Sequence, residues 1–355
     1  MYVLHVVSDL DEAYGGPSQS VPQLVHHLAA EGVGGRILYV ETLAQSRNRI
    51  VESRQLLAQG ARIRGSRRIC YAPDLRRLLR EAVRSSAPAL VHIHSMWRYN
   101  AWAAWQEARA AGLPVVVSPR SNLYGHSLRK NRLIKQAARR LFVDRMLTEA
   151  AFVHATAASE TEAVRAAGYK TVPVRTIPNG IDPVDVSGFA TRAAALSALQ
   201  LETDPARPHV LFLSRVDPRK RVADLIAAFA ASEQARSQAA ELLIAGPAAS
   251  EGYAADLRAR AAAEGVAERV HLLGMLRDGQ RTAAYAAADV FALPTQFENF
   301  GIAIGEALSA GLPVVTTTAT PWAAAAENGV GHLVEPGDTG GLAAGLDRFL
   351  LALPA

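Results

Sequence analysis

Two glutamates, Glu298 and Glu306, stand eight residues apart in the segment Ala292–Pro313. An apolar run ends at Pro294. A helix is expected to open near Phe300 or Gly301 and to stop at Gly311, ahead of Pro313. Glu298 then falls in the loop before the helix and Glu306 in its second turn. The free amides of a helix start, here Asn299, Phe300, Gly301 and Ile302, attract anions, and the helix dipole adds to that attraction. Gly301 lacks a Cβ and lets a bulky group come close. One segment thus offers amides to a phosphate or sugar oxygen and two carboxylates that accept hydrogen bonds from hydroxyls. Carboxylates repel an anion, so they should face sugar hydroxyls. The competing reading makes Glu298 a helix cap and Glu306 a solvated helix residue.

The matching positive charge is in Ser214–Arg221, after the first apolar run of the second half. Arg215 at a strand end can fork onto two phosphate oxygens, and Lys220 adds a mobile point charge. Arg219 and Arg221 read equally well as a solvated basic turn. In the first half, Asp9–Ser18 joins a strand to a helix, and Gly15 and Gly16 can let backbone amides approach a phosphate. This is not a G-x-G-x-x-G pattern, and a simple change of chain direction explains it as well. Asp9 and Asp11 spell D-x-D, which here reads as loop and cap. His92 and His94 share one side of a strand. They could bind metal, but no third ligand is evident, so no metal site is assigned.

These residues need strand ends and helix starts to hold them, and the chain supplies both. Short apolar runs at 2–8, 36–41, 69–71, 90–94, 115–118, 152–155 and 174–177 alternate with helical stretches near 18–31, 74–86, 100–111, 129–149 and 158–167. Turn residues at Pro178–Pro183 break the pattern, and a second series starts at His209, with runs at 209–214, 241–245, 269–273, 290–293, 313–316 and 332–334. Near-continuous apolar strands between helices predict parallel sheets covered on both faces. The fold class is therefore α/β, with two doubly wound Rossmann-like domains facing across a cleft. They are an N-terminal domain at 1–180, a linker at 181–208 and a C-terminal domain at 209–355. Ligands in such sheets sit at the carboxyl ends of the strands, where strand order reverses.

Of 355 residues, 50% are apolar and 20% charged, which is a globular composition. No apolar run is long enough to span a bilayer, and the first ten residues lack the basic flank of a secretory signal. One cysteine, Cys70, leaves no disulfide framework and fits a reducing cytoplasm. Residues 1–182 hold 25 Lys and Arg against 14 Asp and Glu, whereas the remainder holds 13 against 19. A basic first half points to an anionic partner there. Residues 128–146 carry seven basic side chains. Leu133, Ala137, Leu141 and Ile134, Ala138, Phe142 recur at helical spacing. This reads as an amphipathic helix with its apolar stripe in the core, its basic face either solvated or docked on an anionic membrane. Arg64, Arg67, Arg68, Arg76, Arg77 and Arg80 add to the same half. No RNA-stacking motif is present and the second half is acidic, so nucleic acid is not expected as a partner.

Taken together, Glu298 and Glu306, Arg215 with Lys220, the Gly15–Gly16 loop and Pro178–Asp182 resemble the GT-B-fold glycosyltransferases of family GT4. So do Ser118–Asn122, Ala245–Pro247, Phe297–Gly301 and Thr320–Trp322. The resemblance covers nearly the whole chain in the expected order and leans toward a bacterial branch that builds surface polysaccharides. It implies retaining transfer of a hexose from a UDP- or GDP-linked sugar, without metal or other cofactor. Arg215 and Lys220 would bind the diphosphate, Glu306 the ribose hydroxyls and Glu298 the donor sugar. The amides of Asn299–Ile302 would serve the sugar and β-phosphate, Gly15 and Gly16 the donor, and Gly246 and Met275 would border the nucleoside. The acceptor would be a lipid-linked or cell-surface glycan, reached by a protein held peripherally at the cytoplasmic membrane face. A GT-B-fold nucleotide-sugar epimerase is the alternative.

Two departures from that family stand out. Many relatives carry a histidine at the end of the fifth strand of the first domain. Here Arg120 falls there and is assigned to phosphate charge or a reacting hydroxyl. Acceptor contact is assigned to His94, Trp97, Asn122 and His126. Relatives also usually continue past the helix near 340–353 and cross back onto the first domain, whereas this chain ends at Ala355.

Overall fold

The computed structural model describes residues 1–11, 16–41, 48–66, 69–276 and 279–353. Gly15, Arg67 and Arg68 lie outside the described residues. The chain forms two compact units, Met1–Gly180 and Ile181–Ala355.

The first unit is built on β1 (Tyr2–Val7), β2 (Gly34–Glu41), β3 (Ala58–Arg62), β4 (Leu90–His94), β5 (Val115–Ser118), β6 (Phe152–Ala155) and β7 (Val174–Thr176). All pairings are parallel, in the order β3-β2-β1-β4-β5-β6-β7. The strands β1, β4 and β5 are buried on both faces, as their apolar runs demand. The chain winds outward from β1 to β3 and then returns to β4, so strand order reverses between β1 and β4. The helix Asp74–Ser86 shows how the outer layer is held. It buries Leu75, Leu78, Leu79 and Ala82, one face at helical spacing, and leaves its arginines outside.

Two elements differ from the sequence reading. The third strand is Ala58–Arg62, not 69–71, where Ile69 and Cys70 form a turn. Its sequence AQGAR has no β-branched residue, and only pairing with β2 makes it a strand. The helix expected near 129–149 runs without a break over 132–148 but carries a π-bulge, and a separate short helix precedes it. The short helix is Gly125–Arg129, and the longer one comprises Arg132–Ala138, a π-helical turn at Arg139–Val143 and Asp144–Thr148. Leu133, Ile134 and Leu141, placed in the core by their spacing, are 80%, 62% and 79% exposed. Ala138, Val143, Met146 and Leu147 are the side chains that bury instead.

The second unit has β8 (His209–Leu213), β9 (Glu241–Ala245), β10 (Val270–Gly274), β11 (Val290–Leu293), β12 (Val314–Thr317) and β13 (Gly331–Val334). They form one parallel sheet in the order β10-β9-β8-β11-β12-β13, which reverses between β8 and β11. Residues 181–208, read as a linker, belong to this unit. Thr191 caps a helix at Arg192–Ala198, and Ala195, Leu196 and Leu199 join the core. Among the described residues, no helix is long and apolar enough to cross a membrane.

Candidate active site

At the reversal point of the second sheet, the chain leaves β8 through Ser214 and Arg215. Asp217 then caps a short turn, Pro218–Lys220, by accepting from the Arg219 amide at 2.9 Å. The Arg219 guanidinium grips the same carboxylate at 2.9 and 2.8 Å and holds it down to about 2. Across the reversal, the loop after β11 is tied down at two points. The Gln296 amide donates to the Arg219 carbonyl at 2.8 Å, and the Glu298 amide donates to the Ala319 carbonyl at 3.1 Å. This brings Lys220 and Glu298 into a direct ion pair, both largely buried. Arg215 is exposed and has no hydrogen bond or ion pair among the described residues.

The helix starts at Ile302, preceded by Gly301 at φ +80°, a backbone conformation that disfavours a side chain. Trp322 Nε1 donates to the Phe300 carbonyl at 2.6 Å, so an indole fixes the approach to the helix start. At Gly246, after β9, φ is +136° and a Cβ would stand 1.8 Å from the Ser214 carbonyl oxygen. Glycine there lets the ends of β8 and β9 close together. Gly274 ends β10, and Met275 beyond it is 38% exposed.

Glu306 lies on the helix Ile302–Ser309 and is 9% exposed. Arg281 NH2 donates to its Oε2 at 2.6 Å and the Tyr285 hydroxyl donates to the same oxygen at 2.8 Å. Burial, reinforced by the Glu306 charge, pushes the Tyr285 hydroxyl well up, so it stays a neutral donor.

In the first unit, β1, β4, β5 and β6 place polar side chains in the interior. His5 pairs in register with His92, and His94 with Ser118. Arg120 follows β5 with φ +54°, and Ser121 has φ +69°. Two successive left-handed residues other than glycine are costly. Glu160 compensates, accepting from the Ser121 amide at 2.7 Å and the Thr156 amide at 2.8 Å. So placed, Arg120 donates to Asn179 Oδ1 at 2.6 Å and lies 3.3 Å from His94 Nδ1.

An arginine can only donate, so His94 Nδ1 accepts and its Nε2 carries the proton. That proton faces His5 Nδ1 at 3.2 Å, leaving His5 Nε2 as a buried donor without a partner among the described residues. A second chain runs from His92 Nε2 through Ser118 Oγ, at 2.8 Å, to His154 Nδ1, at 3.0 Å. It ends where His154 Nε2 donates to the Ile177 carbonyl at 2.8 Å. Burial and then the Arg120 charge push His5 down to about 3. Burial, neighbouring histidines and Arg120 hold His92 and His94 well below their usual range.

His5 is the third ligand that the sequence did not reveal: His5, His92 and His94 each bring a ring nitrogen within 4.8 Å of the others. The donor set does not fit a metal ion. Binding through His94 Nε2 needs a proton on Nδ1, where Arg120 already donates, and the nearest permanent charge is that cation.

Comparison with known proteins decides the family. Residues 15–180 match the model of the glycosyl transferase 4-like domain, and residues 207–351 match that of glycosyl transferases group 1. The chain belongs to the GT4-like glycosyltransferases. A phosphatidyl-myo-inositol mannosyltransferase of Mycobacterium leprae is 35% identical over 177 residues, 49% of this chain and 43% of that protein. A D-inositol 3-phosphate glycosyltransferase of a Mycobacterium species (strain KMS) is 36% identical over 177 residues, 48% and 39% of the two chains. The matched stretch thus spans less than half the length of these curated relatives. Among solved structures, Anabaena HepE in complex with UDP and glucose superposes with a TM-score of 0.74 at 20% identity, over 98% of this chain and 89% of that one. That likeness gives the GT-B fold, two Rossmann-like α/β domains.

Within this GT4-like chain, the structure brings together Lys220 with Glu298, Arg120 with His94, and Trp97 with Asn122, whose carbonyl accepts from the indole at 3.3 Å. Arg215, Gly246, Met275, Asn299, Phe300, Gly301, Ile302 and Glu306 all follow the carboxyl ends of β8, β9, β10 and β11. Gly16 opens the helix Gly16–Ala30, with open space where a Cβ would stand. His126 is exposed and stacks beside Tyr124 at 5.8 Å. His94, read as an acceptor contact, has no exposed surface, and its ring nitrogens face Arg120 and His5. The sequence reading missed Arg281, Tyr285, His5 and His154, and it noted Asn179 only as part of the Pro178–Asp182 motif. Of these only Arg281 and Tyr285 carry a signal, an i, i+4 polar pair on an otherwise alanine-rich helix.

Proposed function

We propose that the protein is a retaining, metal-independent glycosyltransferase that moves a hexose from a UDP- or GDP-linked sugar to a hydroxyl of a lipid-linked or cell-surface glycan. The observation that carries this reading is the grouping at the β8–β11 reversal: an unpaired Arg215, the Lys220–Glu298 pair and the start of the helix Ile302–Ser309. A nucleoside diphosphate leaves with developing negative charge. Arg215, Lys220 and the helix amides supply the opposite charge without a metal. Glu298 and Glu306 take hydroxyls of the sugar and ribose. The acceptor hydroxyl attacks the face that the leaving group vacates, and a departing phosphate oxygen takes its proton. Arg120 is assigned to orient that hydroxyl or to stabilise phosphate charge. The UDP and glucose bound by HepE and the mannosyltransferase relatives support a nucleotide-sugar donor.

The membrane side of the proposal rests on the segment 125–148. Exposed Leu133, Ile134 and Leu141 stand among exposed Arg129, Lys130, Arg132 and Arg140. Apolar side chains flanked by cations suit insertion into an anionic bilayer surface, each cation adding ~1 kcal/mol. The decisive experiment is calorimetric titration with UDP, GDP and their sugars, followed by product analysis with and without chelator. Binding of one nucleotide sugar, with chelator-insensitive transfer and retained anomeric configuration, is expected. Failure of all of them to bind refutes the reading. Interconversion of the donor sugar without acceptor would instead make the protein an epimerase.

A further inference from the structure

The Glu306 carboxylate accepts two hydrogen bonds, and both go to the same oxygen. Arg281 and Tyr285 stand one turn apart on the helix Gln280–Ala287, and both address Oε2. Tyr285 is 2% exposed, and its hydroxyl also lies 3.4 Å from the Ala303 carbonyl, at the foot of the helix that carries Glu306. A carboxylate oxygen accepts about two hydrogen bonds, so Oε2 is filled. Oε1 has no partner among the described residues. A side chain joined only for stability would share its donors between both oxygens or bury both. This one is fixed in rotation with a single acceptor left over, at the carboxyl-terminal side of the sheet where Gly246 and Met275 also lie.

We propose that Tyr285 and Arg281 are positioning residues for donor recognition: they aim Glu306 Oε1 at the vicinal diol of a ribonucleoside and so set the preference for ribonucleotides over deoxyribonucleotides. This rests on the reading that Glu306 meets the ribose. A diol donates two hydrogens to one fixed acceptor only if that acceptor does not swing away. An aromatic hydroxyl that stays protonated is suited to hold it. Arg281 adds charge that keeps the arm extended toward the neighbouring helix.

The test compares UDP and GDP with their 2′,3′-dideoxy forms by calorimetry, in the wild type, Tyr285→Phe and Arg281→Gln. Tyr285→Phe removes one oxygen and keeps the ring against Phe291, 6.3 Å away. The wild type should bind the ribonucleotide more tightly than its dideoxy form. Tyr285→Phe should raise the ribonucleotide Kd about tenfold and leave the dideoxy Kd unchanged, because one hydrogen bond to a charged group is lost. The same substitution should raise donor KM with kcat falling less. If Tyr285→Phe folds poorly, Arg281→Gln gives the same comparison from the partly exposed partner. Equal weakening of both ligands, or unchanged discrimination in both variants, overturns the positioning role alone. A wild type that does not distinguish the two forms overturns the ribose reading of Glu306 with it.

Discussion

Acidification should destabilise the first unit before it reaches the carboxylate range, and the reason is the buried histidine network. His5, His92 and His94 are 1%, 8% and 0% exposed and are neutral when folded. In the unfolded chain each titrates near 6.5. Their folded values lie lower, so their contribution is intact above about pH 6.5. It is lost as pH falls from there toward about 3, the folded value of His5. A ring that stays neutral while its unfolded counterpart takes a proton costs about 1.4 kcal/mol per pH unit, so His5 alone costs about 2 kcal/mol by pH 5. His92 and His94, also held well below their usual range, add to the loss in the same direction. Urea denaturation at pH 7.5, 6 and 5, with ring titration followed by NMR, measures this. The variant His5→Gln keeps a polar acceptor toward His94 but cannot take a proton. It should recover about 2 kcal/mol of the loss at pH 5. A urea midpoint that stays flat from pH 7.5 to 5, or a His5→Gln variant with the full wild-type loss, refutes the reasoning.

Other outcomes follow from the second site and the exposed segment. Lys220→Ala should lower turnover 100-fold or more, since the leaving group loses a counter-charge and Glu298 is left without its cation; steady-state kinetics decide this. Gly246→Ala places a Cβ against the Ser214 carbonyl at a left-handed φ. It should cost at least 1–3 kcal/mol, which calorimetry reads as a Tm lower by roughly 5 °C or more. Replacing Leu133, Ile134 and Leu141 with Asn should weaken sedimentation with anionic vesicles with little change in Tm, because these side chains are 80%, 62% and 79% exposed.

The strands were legible because they are short, largely apolar runs buried on both faces: those of β9 and β11 have few other ways to fold. The strand β3 was not, since its residues carry no strand preference and its neighbour alone holds it. Helical spacing in 128–146 was real but misassigned. Spacing shows that Leu133, Ile134 and Leu141 share a side, not which side meets the core. The positions of Glu298, Glu306, Arg215 and Lys220 could be read from their places in loop and helix. Their partners could not, because Arg281 and Tyr285 reach Glu306 from another helix. His5 sat in an ordinary apolar strand, and only the pairing of β1 beside β4 puts it against His92.

Among the described residues, the charges of the second site are arranged so that one cation, Arg215, is left over. Asp217 has Arg219, Glu298 has Lys220 and Glu306 has Arg281, each as a direct ion pair. Arg215 has no such partner among the described residues, although its charge is felt at Asp217. Pairing keeps the carboxylates from repelling an incoming anion, which two bare glutamates beside a phosphate site would do. It also holds Lys220 close to the loop before the helix, so a diphosphate meets an ammonium already in place. The unpaired guanidinium then supplies the net attraction. The same logic separates the two basic residues. Loss of Arg215 removes attraction and leaves nothing stranded, whereas loss of Lys220 also leaves a largely buried carboxylate without its cation. The two groups therefore do different work, even though the sequence presents them as a single basic cluster.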